Sequence, residues 1–572
     1  MSLAIEKVQP VTVHDPRVVQ QPRVYPVLKG GEQVLYKQYT TTNVGSGSIN
    51  FHCPPPSANL YVDRRVHLKV TCALTLEGTG LVDNQYILTP GKFAIRSFPL
   101  QKSMETVQMT INNQSMSINI GDILSALEWF NISRKLRVVD FSKCATYPCA
   151  MAQDFSSING SARSSLAVAS ASVLDSSPHC QNFTVTANPQ VTSNAATATL
   201  NFTSCEPLFL SPLYWGDCAN DDSAFYGVKT MDFVFNFNAN AANRMIAIDG
   251  SALVSGGESG ARGSSTINAS VVYSSPTLLF QYLTPQLVDR GSAMQQVLNY
   301  PYYNIERYPK EDAGPWTVPD ATTGALTSLG VNSTNVQLNS IPSKIYIFAR
   351  ANNTQLQKNP YSPDAFLRLD SLNLQWGNRS GLLSSASREQ LYDIAVRAGL
   401  TMSWADWSGD AQPRGLVADY GKATTAGHYR GCGSVMAIDP IDLGLDSIDA
   451  PGKLDQITLQ VNCNFSNIST FTIPSVTMYV VAVSPGIFTL FNGQASSLIG
   501  VLNSNDILHS HEQSASKMFS YSEARNMYGG NFLNDLRSNL KHLKASKKAS
   551  GSGASASGGA RVSRQSLAAR LQ

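Results

Sequence analysis

Charge is the first thing in short supply. Only 15% of the 572 residues are Asp, Glu, Lys or Arg, against about 25% in ordinary soluble proteins. Ser, Thr and Asn fill the deficit. Such a surface suits strands, turns and contacts between subunits better than helices laced with ion pairs. Long apolar runs are also missing. The densest, Val476–Phe491, is interrupted by Pro485 and Gly486 and falls short of the ~20 residues that span a bilayer. It reads as one or two buried strands joined at Pro-Gly, and no transmembrane segment is expected. The opening MSLAIEKVQPVTVHDP lacks the apolar centre of a secretory leader and contains Pro10 and Pro16. Catalytic signatures are missing too: there is no G-x-S-x-G, no P-loop, no H-E-x-x-H and no G-x-G-x-x-G after a strand. No catalytic, cofactor-binding or metal-binding residue is assigned, and the expectation is a protein that is not an enzyme.

Cysteine is present but unorganised. The nine cysteines are odd in number and include no C-x-x-C pair. Cys144 and Cys149 lie five apart and His179 adjoins Cys180, yet zinc ligand pairs normally recur at tighter spacing. Cys463 shares parity with Leu459 and Val461 and reads as a small buried hydrophobe. Free thiols in a reducing compartment are expected. Asn-x-Ser/Thr at Asn131, Asn182, Asn201, Asn352 and Asn467 reads as a by-product of composition.

What the chain has in quantity is period two. In QITLQVNCNF, Ile457, Leu459, Val461, Cys463 and Phe465 fall on one face and polar residues on the other, the signature of a half-buried strand. Phe233, Phe235 and Phe237 repeat it. KIYIFAR (Lys344–Arg350) is apolar on both faces and predicts a central strand. Helical periodicity is confined to Ile118–Asn131, with Ile123, Leu124, Leu127 and Phe130 on one stripe after the N-cap candidates Gly121-Asp122, and to Ser384–Gly399, with Leu391, Ile394 and Ala395 together. Each lies between strand-like segments, one in each half, which suggests two units of similar plan. Ser156–Ser204 and Ile248–Ser270 read as long loops, the first with room for strands of its own.

The expected fold class is all-β: two tandem β-sandwich units with short inserted helices, plus a short C-terminal helix and basic tail. The boundaries are an N-terminal arm at 1–30, a first sandwich with long loops at 31–285, a second at 286–505, a linker at 506–530 and a basic helix and tail at 531–572. The pair of ~220–255-residue units fits elaborated sandwiches. His509, His511 and Glu512 fall in the linker and read as solvated. Trp404 and Trp407 resemble a sugar platform, but aromatics just after a helix are more often core or interface anchors.

The small net charge of +3 conceals a split. Eight Lys/Arg and no Asp or Glu lie between Leu536 and Gln572, which leaves residues 1–535 at −5. Charge divided between the ends of a chain is a hint about partners.

The order of segments resembles the double jelly-roll major capsid proteins of the adenovirus-hexon lineage, of the Polinton-like virus, adintovirus and virophage type. The resemblance rests on PPPSANLYVDRRVHLKV (Pro54–Val70) and Phe98–Leu127 in the first half. In the second it rests on IPSKIYIFAR (Ile341–Arg350), Asp370–Trp407 and GSVMAIDPIDLGLD (Gly433–Asp446). It implies that the two units are tandem eight-stranded jelly-roll β-sandwiches, and that the chain is a major capsid protein whose homotrimers have a pseudo-hexagonal outline and tile an icosahedral virion shell assembled inside the host cell. It also implies neighbouring capsomers, penton and minor capsid proteins as partners. The other reading is a β-sandwich attachment protein that recognises a receptor or glycan through Ser156–Ser204 and Trp404/Trp407.

The resemblance also gives the C-terminus a meaning. Maturation proteases of the adenovirus type cut after an aliphatic or Met residue, any residue, then Gly-Gly. Met527-Tyr528-Gly529-Gly530 fits, with the cut before Asn531. Leu28-Lys29-Gly30-Gly31 fits as well, and Ala556-Ser557-Gly558-Gly559 nearly so. Beyond the cut, Phe532, Leu533, Leu536, Leu540 and Leu543 form one stripe of an assembly helix, which alone would be marginal. Arg537, Lys541, Lys544, Lys547, Lys548, Arg561, Arg564 and Arg570 are candidates for contact with packaged DNA or the capsid interior.

Overall fold

The computed structural model describes residues 8–13, 23–28 and most of 33–502. The longest intervals it does not describe are 132–179, 214–223, 249–265, 285–297, 414–427 and 503–572.

Alternating apolar residues produce two sets of eight strands. The first set is β1 (Gln33–Thr40), β2 (Ser48–His52), β3 (His67–Thr79), β4 (Met104–Ile111), β5 (Gln114–Ile118), β6 (Ala195–Pro207), β7 (Met231–Phe237) and β8 (Thr266–Thr284). The second is β9 (Leu298–Trp316), β10 (Ser328–Asn332, continued by Val336–Ser340), β11 (Lys344–Ala351), β12 (Arg368–Trp376), β13 (Arg379–Leu382), β14 (Val435–Ile438), β15 (Leu454–Ser466) and β16 (Ile473–Phe491). In the first set the sheets run β1-β8-β3-β6 and β2-β7-β4-β5. In the second they run β9-β16-β11-β14 and β10-β15-β12-β13. Adding eight to each strand of the first set reproduces the second. This antiparallel order is a jelly roll, built twice. Among the described residues every strand pairing stays within one set. Residues 8–28 contribute an antiparallel ribbon, Val8–Val13 against Arg23–Leu28, to the segment expected as an extended arm.

The inner faces of each sandwich pack together, and the buried apolar residues of the two join in one continuous cluster. On β7 the residues Met231, Phe233, Phe235 and Phe237 are buried and those between them half-exposed. Phe233 meets Phe280 of β8 across the sandwich at 6.1 Å, and Phe235 meets Phe51 edge-on at 6.0 Å. On β15 the expected Ile457, Leu459, Val461, Cys463 and Phe465 are buried, together with the terminal Ser466. β11 is buried at every position but Lys344 because it pairs with β14 on one edge and β16 on the other. Asn467 is buried and its side-chain amide donates to the Trp316 carbonyl at 3.0 Å, so this Asn-x-Ser serves the core.

Val476–Phe491 is one strand rather than two joined at Pro-Gly. Pro485 costs no ladder bond on that edge, since β11 ends its pairing at Val483 and the strand Gln494–Ile499 begins its own at Gly486. Gly486 is needed there: a Cβ would lie 2.4 Å from the Leu498 carbonyl oxygen. Strand Gln181–Ala187 and the start of β6 lie inside the expected long loop and extend the first sheet.

Short helices occupy matching places. α1 (Pro99–Ser103) and α3 (Asn353–Leu356) fall between the third and fourth strands of their sets. α2 (Ile120–Asn131) and α4 (Arg388–Arg397) follow the fifth. α4 starts on a capping box between Ser387 and Gln390 and buries Leu391, Ile394 and Ala395 as one stripe. α2 departs from expectation. It begins at Ile120, which puts Gly121 and Asp122 inside the first turn instead of at the cap, and Asp122, Ser125 and Glu128 are buried along with its apolar residues. A single apolar stripe would leave those three wet; something polar must cover them. A five-residue helix, α5 (Trp404–Ser408), follows α4.

Cys53, Cys72, Cys205 and Cys463 are free thiols. Burial, helped by the Asp232 carboxylate, pushes the Cys53 thiol up to about 12, and burial raises Cys72 and Cys463 further. The thiolate is the reactive form. In native protein at pH 8, a thiol reagent followed by mass spectrometry should leave Cys53, Cys72 and Cys463 unlabelled, whereas denaturation exposes all three. Prompt labelling of any of them in the native state contradicts this packing.

Candidate functional site

What covers the polar side of α2 is the other sandwich. Arg350, at the end of β11, donates to the Gly121 carbonyl at 3.1 Å and to Ser125 Oγ at 3.3 Å. Its guanidinium lies 3.5 Å from Asp122 Oδ1. Arg307 of β9 forms a second ion pair with Asp122. The Asn353 side-chain amide donates to the same carboxylate at 2.6 Å, and Tyr479 Oη donates at 3.3 Å. Asn353 Oδ1 in turn accepts from Arg350 at 3.1 Å, and the Arg350 guanidinium stands 5.4 Å from the Tyr479 ring centre. One carboxylate from the first sandwich thus receives two cations, an amide and a phenol from the second.

The approach is close because Gly121 permits it. A Cβ there would sit 2.5 Å from the Met104 carbonyl oxygen, so α2 could not settle against the start of β4 with any larger residue.

Further tethers cross the same seam. Arg96 donates to the Pro360 carbonyl at 3.0 Å, Asn243 to Gln357 at 2.7 Å and Arg244 to Leu356 at 3.1 Å. The Tyr300 hydroxyl donates to Ala224 and accepts from the Tyr226 amide, both at 3.0 Å, while its ring packs edge-on against Phe225 at 4.9 Å. The Thr401 amide donates to Trp129 at 2.9 Å, Phe130 packs on Tyr346 at 4.9 Å, and the Ala495 amide donates to Asn113 at 2.8 Å. Directional bonds spread along an interface hold two bodies in one mutual orientation, whereas apolar contact alone leaves them freer to slide. The arrangement performs no chemistry; it fixes geometry.

The Trp404/Trp407 pair lies elsewhere and is core. Trp407 is fully buried, its Nε1 donates to the Val435 carbonyl at 3.0 Å, and it stacks on Trp404 at 5.8 Å. Trp407 therefore has no free face for a sugar. The cleavage residues Met527, Tyr528, Gly529, Gly530 and Asn531 lie outside the described residues. So do the helix stripe Phe532, Leu533, Leu536, Leu540 and Leu543 and the basic set Arg537, Lys541, Lys544, Lys547, Lys548, Arg561, Arg564 and Arg570. Among the described residues no group of three or more His, Cys, Asp or Glu is placed to hold a metal, and no helix is long and apolar enough to cross a membrane. The seam was not found from the sequence. Its signal was there in Asp122 and Arg350, single charges inside otherwise apolar runs of a charge-poor chain.

A family model for the first domain of the Sputnik virophage major capsid protein matches residues 6–283, and one for the C-terminal domain of major capsid protein V20 matches residues 316–486. The chain belongs to the virophage major capsid proteins. It is 28% identical to the V20 capsid protein of the Sputnik virophage over 542 residues, which cover 93% of this chain and 86% of that one. The cryo-EM structure of the Sputnik virophage matches with a TM-score of 0.71 at 26% identity, over 91% of this chain and 98% of that one. The mavirus major capsid protein, at 15% identity, shares the fold with a TM-score of 0.61, over 87% of this chain and 97% of that one. This major capsid protein is a structural component of the virion, not an enzyme. The double jelly roll expected from the segment order is the fold it has.

Removing one partner of a buried ion pair leaves the other charged and unsolvated, which costs about 3–5 kcal/mol. Asp122→Ala should therefore destabilise the capsid protein by about that amount in denaturant unfolding. Asp122→Ala combined with Arg350→Met should cost clearly less than the two single changes added together. Strict additivity would mean that the two residues do not interact.

Proposed function

We propose that three copies of this capsid protein form one pseudo-hexagonal capsomer. The observation that carries the reading is the repeated strand order. Two sandwiches of the same plan in each chain make six in a trimer, and six similar bodies around a threefold axis approximate a hexagon. Such a tile packs into an icosahedral shell against neighbouring capsomers, with penton and minor capsid proteins at the remaining positions. The low charge content suits a protein that hides much of its surface against copies of itself, and the directional seam suits one whose two halves must keep a set angle.

The chain ends belong to the same proposal. Met527-Tyr528-Gly529-Gly530 is the substrate of a viral maturation protease, which cuts before Asn531. The released or retained segment carries a helix stripe through Leu536, Leu540 and Leu543 that docks on an assembly partner. Its eight Lys/Arg meet packaged DNA on the inner side of the shell, a contact that weakens steeply with salt.

Light scattering coupled to size exclusion tests the oligomer: the expected mass is three chains, and a stable monomer or dimer under assembly conditions refutes the capsomer. The tail is tested separately. Digestion by a maturation protease of the adenovirus type should yield a new N-terminus at Asn531, and Gly530→Val should abolish it; a first cut after Gly31 or Gly559 instead moves the site.

A further inference from the structure

β1 and β9 hold the same place in the repeated plan. Among the described residues each is the outermost strand of its sheet, β1 beside β8 and β9 beside β16. An outermost strand presents unpaired amides and carbonyls, and proteins blunt such edges with proline or charge. β9 is blunted. Its Tyr303 amide points away from β16 and donates to Ser211 Oγ at 2.8 Å. Pro301 and Pro309 share that parity on the strand. Neither proline therefore costs a ladder bond, and each removes a donor from the free edge.

β1 is left open. Thr41, just past its end, donates its amide to the Pro276 carbonyl at 3.4 Å, and Thr40 stands opposite Thr277. The odd-numbered residues of β1 thus bond β8, and the amides of Val34, Tyr36 and Gln38 face outward. No proline interrupts Gln33–Thr40. Val34, Leu35 and Tyr36 are 45%, 41% and 75% exposed, so apolar side chains on both faces of the strand accompany a bare backbone edge. An extended segment adds to such an edge as one more strand, with backbone bonds for affinity and side chains for grip.

The chain carries a segment of that kind. Val8–Val13 and Arg23–Leu28 pair with each other and, among the described residues, with no other strand. A two-stranded ribbon by itself is marginally stable in water, so the ribbon lacks a neighbour as the edge does. Only four residues, Gly30 and Gly31 among them, join it to β1. So short a link makes pairing within the chain the arrangement of least entropic cost, yet within one chain the ribbon and the edge do not pair. We infer that the ribbon of one copy adds to the free edge of β1 in a second copy, tying capsid protein chains together by strand addition. Any two copies in contact suffice for this, whatever number forms the capsomer. The prolines of β9 then have a purpose: they direct the ribbon to one of two similar edges.

Hydrogen exchange read by mass spectrometry tests this in the full-length protein under assembly conditions. The outward amides of Val34, Tyr36 and Gln38 should exchange about tenfold more slowly there than in a chain lacking residues 1–28. Mixing that shortened chain, labelled with heavy nitrogen, with unlabelled full-length protein separates the source of the ribbon. The β1 of the shortened chain should regain protection, because the added strand comes from a neighbour. A second variant keeps the ribbon and closes the edge. Tyr36→Pro removes one outward amide, as Pro301 and Pro309 do in β9, and should melt within about 3 °C of the wild type. Its ribbon should be cut by trypsin after Arg23 about tenfold faster than that of the wild type under the same conditions. Equal exchange in full-length and shortened chains overturns the inference. A shortened chain that stays unprotected beside full-length copies overturns it too, since the ribbon then serves its own β1. So does unchanged cleavage in folded Tyr36→Pro.

Discussion

Asp122 is the point on which the two halves of this capsid protein turn. The apolar core runs continuously from one sandwich into the other, but apolar contact by itself leaves two bodies freer to slide than directional bonds do. The directional bonds of the seam centre on one buried carboxylate that holds Arg307, Arg350, Asn353 and Tyr479 of the other sandwich, with further tethers along the same interface. The carboxylate is placed by a helix that only Gly121 allows so close to β4. A buried ion pair of this kind is weak evidence for stability, because desolvation consumes most of the Coulombic gain. Its value here is specificity. A sliding interface would leave those charges unpaired at a cost of several kcal/mol, so one angle is favoured sharply over its neighbours.

The helices show how similar plans diverge under this constraint. α2 and α4 follow the same strand of their respective sets. α4 keeps one apolar stripe and a wet opposite face, as an amphipathic helix on the outside of a sandwich should. α2 is enclosed on nearly every side because the second sandwich closes over it, and its polar residues become the seam. One copy of the repeated element is spent on the outer surface and the other on the joint.

The parts of this architecture that follow from period two were legible before any coordinates. The faces of β7 and β15 and the central place of β11 follow from which residues alternate, since a one-residue slip would expose a whole face. The doubled plan was visible in the paired helices between strand segments, and the segment order of Ile341–Arg350 and Asp370–Trp407 carried the family. The seam was less legible because it depends on contacts far apart in the sequence, with 225 residues between Ser125 and Arg350. Gly121-Asp122 reads locally as a helix cap, and only the other sandwich makes it a helix interior. Pro485-Gly486 misleads in the same way: locally it marks a break, and only a change of neighbouring strand lets β16 run through it.

Everything proposed about assembly requires that the two sandwiches of one chain act as a rigid pair. Electron-microscope class averages of the purified oligomer measure this most directly. The expected image is a threefold particle with six evenly spaced lobes, sharp in wild type and blurred between lobes of the same chain in Asp122→Ala. A three-lobed particle, or six lobes whose spacing varies from image to image in the wild-type protein, contradicts a fixed seam.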